Sequence, residues 1–274
     1  MATATVNGIT IGYDDQGDRA GAPLVLIHGH PFNRSMWAPQ ADALTADGYR
    51  VVAPDLRGYG ESSVLPGITS LEVFARDAAG LMDHLGLGRV VIGGLSMGGQ
   101  IVMEFYRLFS ERVRGLLLAA TFPTAETPEG KVLRNAVADR LLAEGMTGYS
   151  DEVINKMIAP YNVAALPGVA AHVLRMMRGT SPEGAAAAVR GRAERPDYCE
   201  LLTQISVPTL VVVGADDEYT PVSDAEFMHN QIRDSVLTII DGAAHMPNLE
   251  RPAEFNTALR QFLVRAGFGP SGSD

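Results

Sequence analysis

Val90-Val91-Ile92-Gly93-Gly94-Leu95-Ser96-Met97-Gly98-Gly99 is the stretch that decides the fold. A short apolar run leads into Gly94-Leu95-Ser96-Met97-Gly98, a G-x-S-x-G, and a helical pattern follows from Gln100 to Phe109. A serine on so sharp a strand-to-helix turn presents its hydroxyl over the end of a sheet. The glycines let neighbouring backbone come closer than a Cβ would permit. Gly and Ser are common, so the context of strand before and helix after carries the reading.

The same alternation runs outward in both directions. Thr5 to Tyr13 alternates around Asn7-Gly8 and reads as a β-hairpin. Leu24 to Ile27, Tyr49 to Ala53, Val113 to Ala119, Leu210 to Val213 and Val236 to Ile240 are apolar runs of the kind buried on both faces. Helical patterns lie between them at Ser35 to Ala46, Ser70 to Leu85, Pro221 to Gln231 and Pro252 to Ala266. Alternating strands and helices predict an α/β fold with a mostly parallel sheet covered on both faces. Between Phe122 and Leu202 no buried strand is legible. Helical patterns punctuated by Pro and Gly replace it, at Gly130 to Leu142, Asp151 to Met157, Val169 to Met177 and Pro182 to Ala193. The expected organisation is a core of residues 1–121 and 203–274 with a helical cap, 122–202, over the carboxyl ends of the strands, where open parallel sheets bind ligands. The tail from Gly267 to Asp274 is expected to fray.

At 274 residues and 46% hydrophobic, the chain suits one large domain with an insertion. A net charge of −10 argues against nucleic acid or an anionic membrane as partner. The single cysteine, Cys199, excludes an internal disulfide framework and a Cys-rich metal site. Met1 to Gly12 lacks the apolar core of a signal peptide, and no apolar run is long enough to span a membrane, so a soluble cytoplasmic protein is expected. Oligomeric state is not legible.

A serine hydroxyl needs a base within hydrogen-bond reach, and the base needs an acceptor that fixes its tautomer. Of six histidines, His245 sits in Asp241-Gly-Ala-Ala-His245-Met-Pro247, a loop between a strand and a helix. That position suits a base reaching over a neighbouring strand to Ser96. His84 reads as surface and His229 as structural; His172 falls in the insertion. The acid lies in Gly214-Ala-Asp216-Asp217-Glu218-Tyr-Thr-Pro221, after a strand. Spacing alone does not separate Asp216, Asp217 and Glu218. The loop His28-Gly29-His30-Pro31 follows another buried strand and can supply a backbone N–H to an oxyanion. Met97, at the start of its helix, can supply the second. No Cys or acid cluster accompanies His28 and His30, so no metal is expected.

Together these pieces resemble the α/β-hydrolase superfamily across nearly the whole chain. The matching motifs are His28-Gly29-His30-Pro31, Asp55-Leu-Arg57-Gly58-Tyr-Gly60-Glu-Ser62, Gly94-Leu-Ser96-Met-Gly98, Gly214-Ala-Asp-Asp217-Glu-Tyr-Thr220-Pro221, and His245 with Glu250-Arg-Pro252. The resemblance implies a sheet of about eight strands and a cap at the insertion. It selects Asp217 as the acid, from its register after Gly214 and before Thr220-Pro221. It makes His30 an oxyanion donor and gives Arg57 a structural role. Ser96 at the elbow argues against the haloalkane dehalogenases and epoxide hydrolases of this fold, which use Asp there. The likeness is to carboxylesterases, enol-lactonases and cofactor-free haloperoxidases.

The reading is a cofactor-free serine hydrolase for a small ester or lactone, with Ser96, His245 and Asp217 as triad and His30 and Met97 as oxyanion donors. Phe32, Met146, Met157, Ile158, Leu174, Met176 and Met177 are the expected lining of an apolar pocket under the cap. A perhydrolase or C–C bond hydrolase using the same triad is the alternative. A non-catalytic ligand receptor is the remote one.

Overall fold

The structure, a computed structural model, describes residues 2–269. Eight strands form one sheet: β1 (Ala2–Val6), β2 (Ile9–Gln16), β3 (Pro23–Ile27), β4 (Arg50–Pro54), β5 (Val90–Leu95), β6 (Val113–Ala119), β7 (Thr209–Gly214) and β8 (Ser235–Ile240). Their order is β1-β2-β4-β3-β5-β6-β7-β8. The hairpin β1–β2 and its junction with β4 are antiparallel, and every later pairing is parallel.

The apolar runs of the inner strands are buried on both faces, but the expectation fails for Val236 to Ile240: β8 is the edge strand, only Ile240 is buried there, and Ile239 is 42% exposed. In β3, Val25 and Ile27 join one core and Leu24 and Leu26 the other. In β5, Val90 and Ile92 are divided in the same way from Val91 and Leu95, and in β7, Val211 and Val213 from Leu210 and Val212. Side chains of a strand alternate between faces, so a continuous apolar run is what two covered faces require. The helices α1 (Ala38–Ala46), α2 (Leu71–His84) and α3 (Met97–Phe109) follow β3, β4 and β5. One core takes Phe74 and Leu81 of α2 with Ile101 and Phe105 of α3. The other takes Ala41 and Leu44 of α1.

The expected helix from Ser35 is two elements. A 3-10 turn over Arg34–Trp37, capped by the Asn33 side chain on Ser35 N–H, precedes α1. Pro39 sits in the first turn of α1, where its missing N–H costs nothing.

Between β6 and β7 the chain forms six helices and no strand. They are α4 (Pro128–Glu144), α5 (Met146–Met157), α6 (Pro160–Ala165), α7 (Pro167–Arg178), α8 (Pro182–Ala193) and α9 (Cys199–Gln204). Thr127 and Ser181 cap α4 and α8 through side chains that accept from Gly130 and Gly184 N–H, each with Pro at the first helical position. Val153, Ile154, Val173 and Met177 of α5 and α7 belong to the same core as β3 and β5, so the excursion is packed onto the sheet without a seam. Helix α8 is buried along nearly its whole length. Its small residues allow this: a Cβ added at Gly191 would fall 1.7 Å from the Thr69 carbonyl oxygen.

After β7 come α10 (Val222–Gln231), α11 (Pro247–Glu250) and α12 (Pro252–Arg265). The expectation of a frayed tail fails at its first residues. Phe268 is buried against Phe262, and its carbonyl accepts from Tyr49 Oη at 2.7 Å. The rest of that expectation, residues 270–274, lies outside the described residues. Among those described, no helix is long and apolar enough to cross a membrane.

Candidate active site

Ser96 ends β5 and begins the turn into α3 with φ 59° and ψ −118°, a left-handed backbone that a non-glycine residue adopts at a cost. The surroundings hold it there. Its N–H donates to the Ala119 carbonyl at 2.9 Å, and its own carbonyl accepts from Thr121 Oγ1 at 2.8 Å. A Cβ on Gly94 would sit 2.2 Å from the Gly98 carbonyl carbon, and one on Gly98 would sit 2.3 Å from the Ile27 oxygen. Both glycines of the motif are therefore demanded by contact between the turn, α3 and the end of β3. Ser96 itself is only 9% exposed.

His245 is delivered by the loop between β8 and α11, and Asp217 by the loop after β7. His245 Nδ1 and Asp217 Oδ2 are 2.8 Å apart, both buried. A carboxylate accepts only, so the proton of a neutral imidazole sits on Nδ1 and Nε2 is left as an acceptor. Asp217 Oδ1 accepts from the N–H groups of Tyr219 at 2.8 Å and Thr220 at 3.0 Å, and Oδ2 also accepts from the Thr220 hydroxyl. Burial raises the pKa of this carboxyl. The charge interaction and hydrogen bond with His245, then those from Thr220, outweigh it and hold it below the usual carboxylate value. Asp216 is exposed and accepts from the Tyr161 hydroxyl instead. The His245 loop is fastened by Glu250, whose carboxylate accepts from Ala244 N–H at 2.8 Å, Ala159 N–H at 2.9 Å and Asn162 Nδ2 at 2.7 Å.

The loop after β3 is set by His28. It donates from Nδ1 to the Gly29 carbonyl at 2.8 Å and accepts at Nε2 from Leu56 N–H at 2.9 Å. Burial pushes its pKa down, in keeping with a neutral structural ring. Asp55 is buried and accepts from Arg34 and Glu61 N–H, while Arg57 forms a two-pronged pair with Asp77. Among the described residues, neither His30 N–H nor Met97 N–H donates to another protein group. Met97 opens α3, where the helix dipole favours negative charge.

Ser96, His245, His30 and Met157 line one cavity of about 200 Å³, together with Phe122, Arg134, Tyr149, Arg192, Tyr219 and Thr220. No hydrogen bond joins Ser96 to His245 among the described residues; the two share the cavity wall. Such contacts commonly tighten only around substrate. His30, Arg134, Tyr149, Arg192 and Tyr219 also line a wider mouth of about 410 Å³.

Of the apolar residues expected to line the pocket, only Met157 does so. Phe32, Ile158, Met176 and Met177 are buried in the core shared by the sheet and the helices between β6 and β7, and Leu174 packs against it. Met146 packs between α4 and α8. These side chains point inward because the inserted helices must fill the space against the sheet and, for Met146, the space between α4 and α8. The lining that the sequence reading missed is polar and aromatic, supplied by Arg134, Tyr149, Arg192 and Tyr219. An arginine at position 192, inside the buried Ala/Gly run of α8, was the available signal. Among the described residues, no group of three or more His, Cys, Asp or Glu side chains is placed to hold a metal.

The family profile for the alpha/beta hydrolase fold matches residues 22–252. The chain is 29% identical to 3-oxoadipate enol-lactonase 2 of Acinetobacter baylyi, over 96% of each chain. It is 33% identical to a putative non-heme chloroperoxidase of Synechocystis, over 93% of this chain and 95% of that one. A malate-bound thermophilic esterase from Thermogutta terrifontis superposes with a TM-score of 0.93 at 38% identity, covering 97% of this chain and 98% of the esterase.

Proposed function

The chain belongs to the α/β-hydrolase fold family, and from that premise we propose that it hydrolyses a carboxylic ester or lactone through an acyl-enzyme on Ser96. The observation that carries this reading is the commitment of His245 Nδ1 to Asp217, with Ser96 and His245 on the wall of one cavity. Nε2 is then the basic nitrogen available to the serine. Ser96 Oγ attacks the carbonyl carbon while its proton passes to His245 Nε2. The carbonyl oxygen gains charge and accepts from His30 and Met97 N–H, donors worth about 3–4 kcal/mol each where one has been removed elsewhere. The imidazolium formed beside the Asp217 carboxylate is stabilised by it. Collapse of the tetrahedral intermediate breaks the bond to the alkoxy oxygen, which takes the Nε2 proton. Water, deprotonated by the same nitrogen, then attacks the acyl-enzyme and releases the acid and Ser96. Enol-lactonase and esterase relatives support this reading.

The experiment is turnover of p-nitrophenyl acetate and of a small lactone by purified protein and by Ser96→Ala. Turnover abolished by the substitution is expected. Inertness of the folded protein towards both, or turnover that persists in Ser96→Ala, refutes the reading. A second reading has support from the chloroperoxidase relative: the same acyl-enzyme, attacked by hydrogen peroxide in place of water, would yield a peracid. Peracid formed from acetate and peroxide faster than the ester is hydrolysed favours it.

A further inference from the structure

The cavity beside Ser96 is lined by residues that lack part of their hydrogen-bond or charge partners among the described residues. Arg192, on the last turn of α8, is buried at 8% exposure. Its Nε donates to Gln100 Oε1 at 3.1 Å. Among the described residues, no carboxylate pairs with it. Glu126, which lines the same mouth, is held by Arg134 and by Arg195 at 2.9 Å. Burial, then the neighbouring Arg134 and Arg195, push the Arg192 pKa down to about 9, and it stays charged at neutral pH. A buried guanidinium without a counter-charge is costly, and natural proteins seldom keep one without a use.

His30 adds a second donor to the same wall. Its Nδ1 lies 2.8 Å from Tyr59 Oη. Tyr59 is buried, its hydroxyl has no other partner among the described residues, and burial holds its pKa far above the ordinary value. The phenol therefore donates, His30 Nδ1 accepts, and the ring proton of His30 sits on Nε2. That nitrogen is buried and has no partner among the described residues. Burial first, then the charge of Arg192, hold the His30 pKa well below its usual value, so the ring is neutral. Gln100 Nε2, on the residue that receives Arg192, is likewise buried and unpartnered. Arg192 and His30 thus line one cavity with the candidate nucleophile, and the other arginine there, Arg134, already has Glu126 as a partner.

We propose that Arg192 and His30 Nε2–H form a carboxylate-binding subsite, and that the ester or lactone processed at Ser96 carries a carboxylate in its own skeleton. The planar fork of a guanidinium matches a carboxylate, and the His30 N–H occupies a further lone pair. The carboxylate supplies the counter-charge that Arg192 lacks and positions the scissile carbonyl. This inference rests on the serine-hydrolase reading for the identity of the reaction and on the donor cluster for the charge of the substrate.

The test compares matched probes that differ only in that charge. On the acyl side they are mono-p-nitrophenyl adipate and its methyl-capped diester. On the alcohol side they are acetoxyacetate and its methyl ester. The expected result is a preference for the anionic member of at least one pair by about tenfold or more in kcat/KM, the scale of one charge-assisted contact. Arg192→Met should bring that ratio down to about one, chiefly through KM, and Arg192→Lys should restore part of it. Equal turnover or a neutral preference in both pairs overturns the inference, as does a ratio unmoved in Arg192→Met. Should that variant fail to fold, the wild-type ratios and Arg192→Lys decide. Fluorophosphonate labelling of Ser96 and the thermal shift with free adipate separate the two claims. Absence of labelling overturns the hydrolase reading. Adipate still tests the subsite, and must raise the Tm of the wild type more than that of Arg192→Lys. No shift, or an equal one, shows that Arg192 serves only to tie α8 to α3.

Discussion

Replacing Asp217 by asparagine tests the arrangement at its most informative point, because the surroundings dictate how the new amide must sit. Oδ1 accepts from two backbone N–H groups, those of Tyr219 and Thr220. An NH2 group placed there would face both donors, so the amide oxygen occupies that side. The amide nitrogen is then turned towards His245 Nδ1 and the Thr220 hydroxyl, where the carboxylate had accepted from both. Facing a donor, His245 is driven to accept at Nδ1, and its proton moves to Nε2. An imidazole in that tautomer cannot take a proton from Ser96. The same substitution in a serine protease lowers kcat about 10⁴-fold with the geometry intact. That corresponds to about 5 kcal/mol of transition-state stabilisation. The assay is kcat with p-nitrophenyl acetate for Asp217→Asn and Asp216→Asn, each checked for folding by its thermal melt. Asp217→Asn should lose about four orders of magnitude, while Asp216→Asn, whose carboxylate faces the surface and Tyr161, should stay within a few-fold of wild type. A loss of less than tenfold in well-folded Asp217→Asn refutes the reasoning, and a greater loss in Asp216→Asn reassigns the acid.

Gly98→Ala places a Cβ 2.3 Å from the Ile27 oxygen; the backbone shift it forces should cost about 1–3 kcal/mol in urea unfolding and lower kcat by displacing Ser96. Glu250→Gln keeps its oxygen towards Ala159 N–H and Asn162 Nδ2 and turns its NH2 group onto the Ala244 N–H donor, so a stability loss of about 1.5–3 kcal/mol is expected. It should be accompanied by a lower kcat, and unchanged kcat would show that the His245 loop does not depend on this anchor. His28 and His30 have folded pKa values below their ordinary 6.5. The unfolded chain then binds more protons below that pH. The stability they provide is complete above about pH 6.5 and is lost as pH falls towards the folded values, at up to about 1.4 kcal/mol per pH unit for each group. Urea melts at pH 7.5 and 5.5 should show that slope, and His30→Phe should flatten it.

The sheet was legible because its central strands are apolar without interruption, and only two covered faces make Leu24 to Ile27 or Leu210 to Val213 a reasonable strand. The elbow was legible for a related reason, since Gly94 and Gly98 mark places where backbone meets backbone. The insertion between β6 and β7 was legible as helical but its lining side chains were not. Its pocket-facing side chains are fixed by how α4, α5 and α8 sit on the sheet, and no periodicity within one helix reports that. Methionines at 176 and 177 fill the interior between the inserted helices and the sheet, Met146 fills the space between α4 and α8, and Arg192 stands in an alanine-rich helix that is buried along nearly its whole length. Helix α6 escaped because Pro160 and Pro167-Gly168, read as punctuation, bracket it. In the structure Gly145, at φ 76°, joins α4 directly to α5, and Pro160 opens α6. Spacing left Asp216 and Asp217 equivalent, and they part in space because the loop after β7 turns one to the surface and the other onto His245.

The central claim is that Ser96 is a nucleophile activated within this cavity. The most direct measurement is reaction of the folded protein with a fluorophosphonate, followed by peptide mass spectrometry. The account predicts one stoichiometric adduct, on Ser96, absent from Ser96→Ala and formed far more slowly in Asp217→Asn. A folded protein that takes no label, or takes it on another residue, contradicts it.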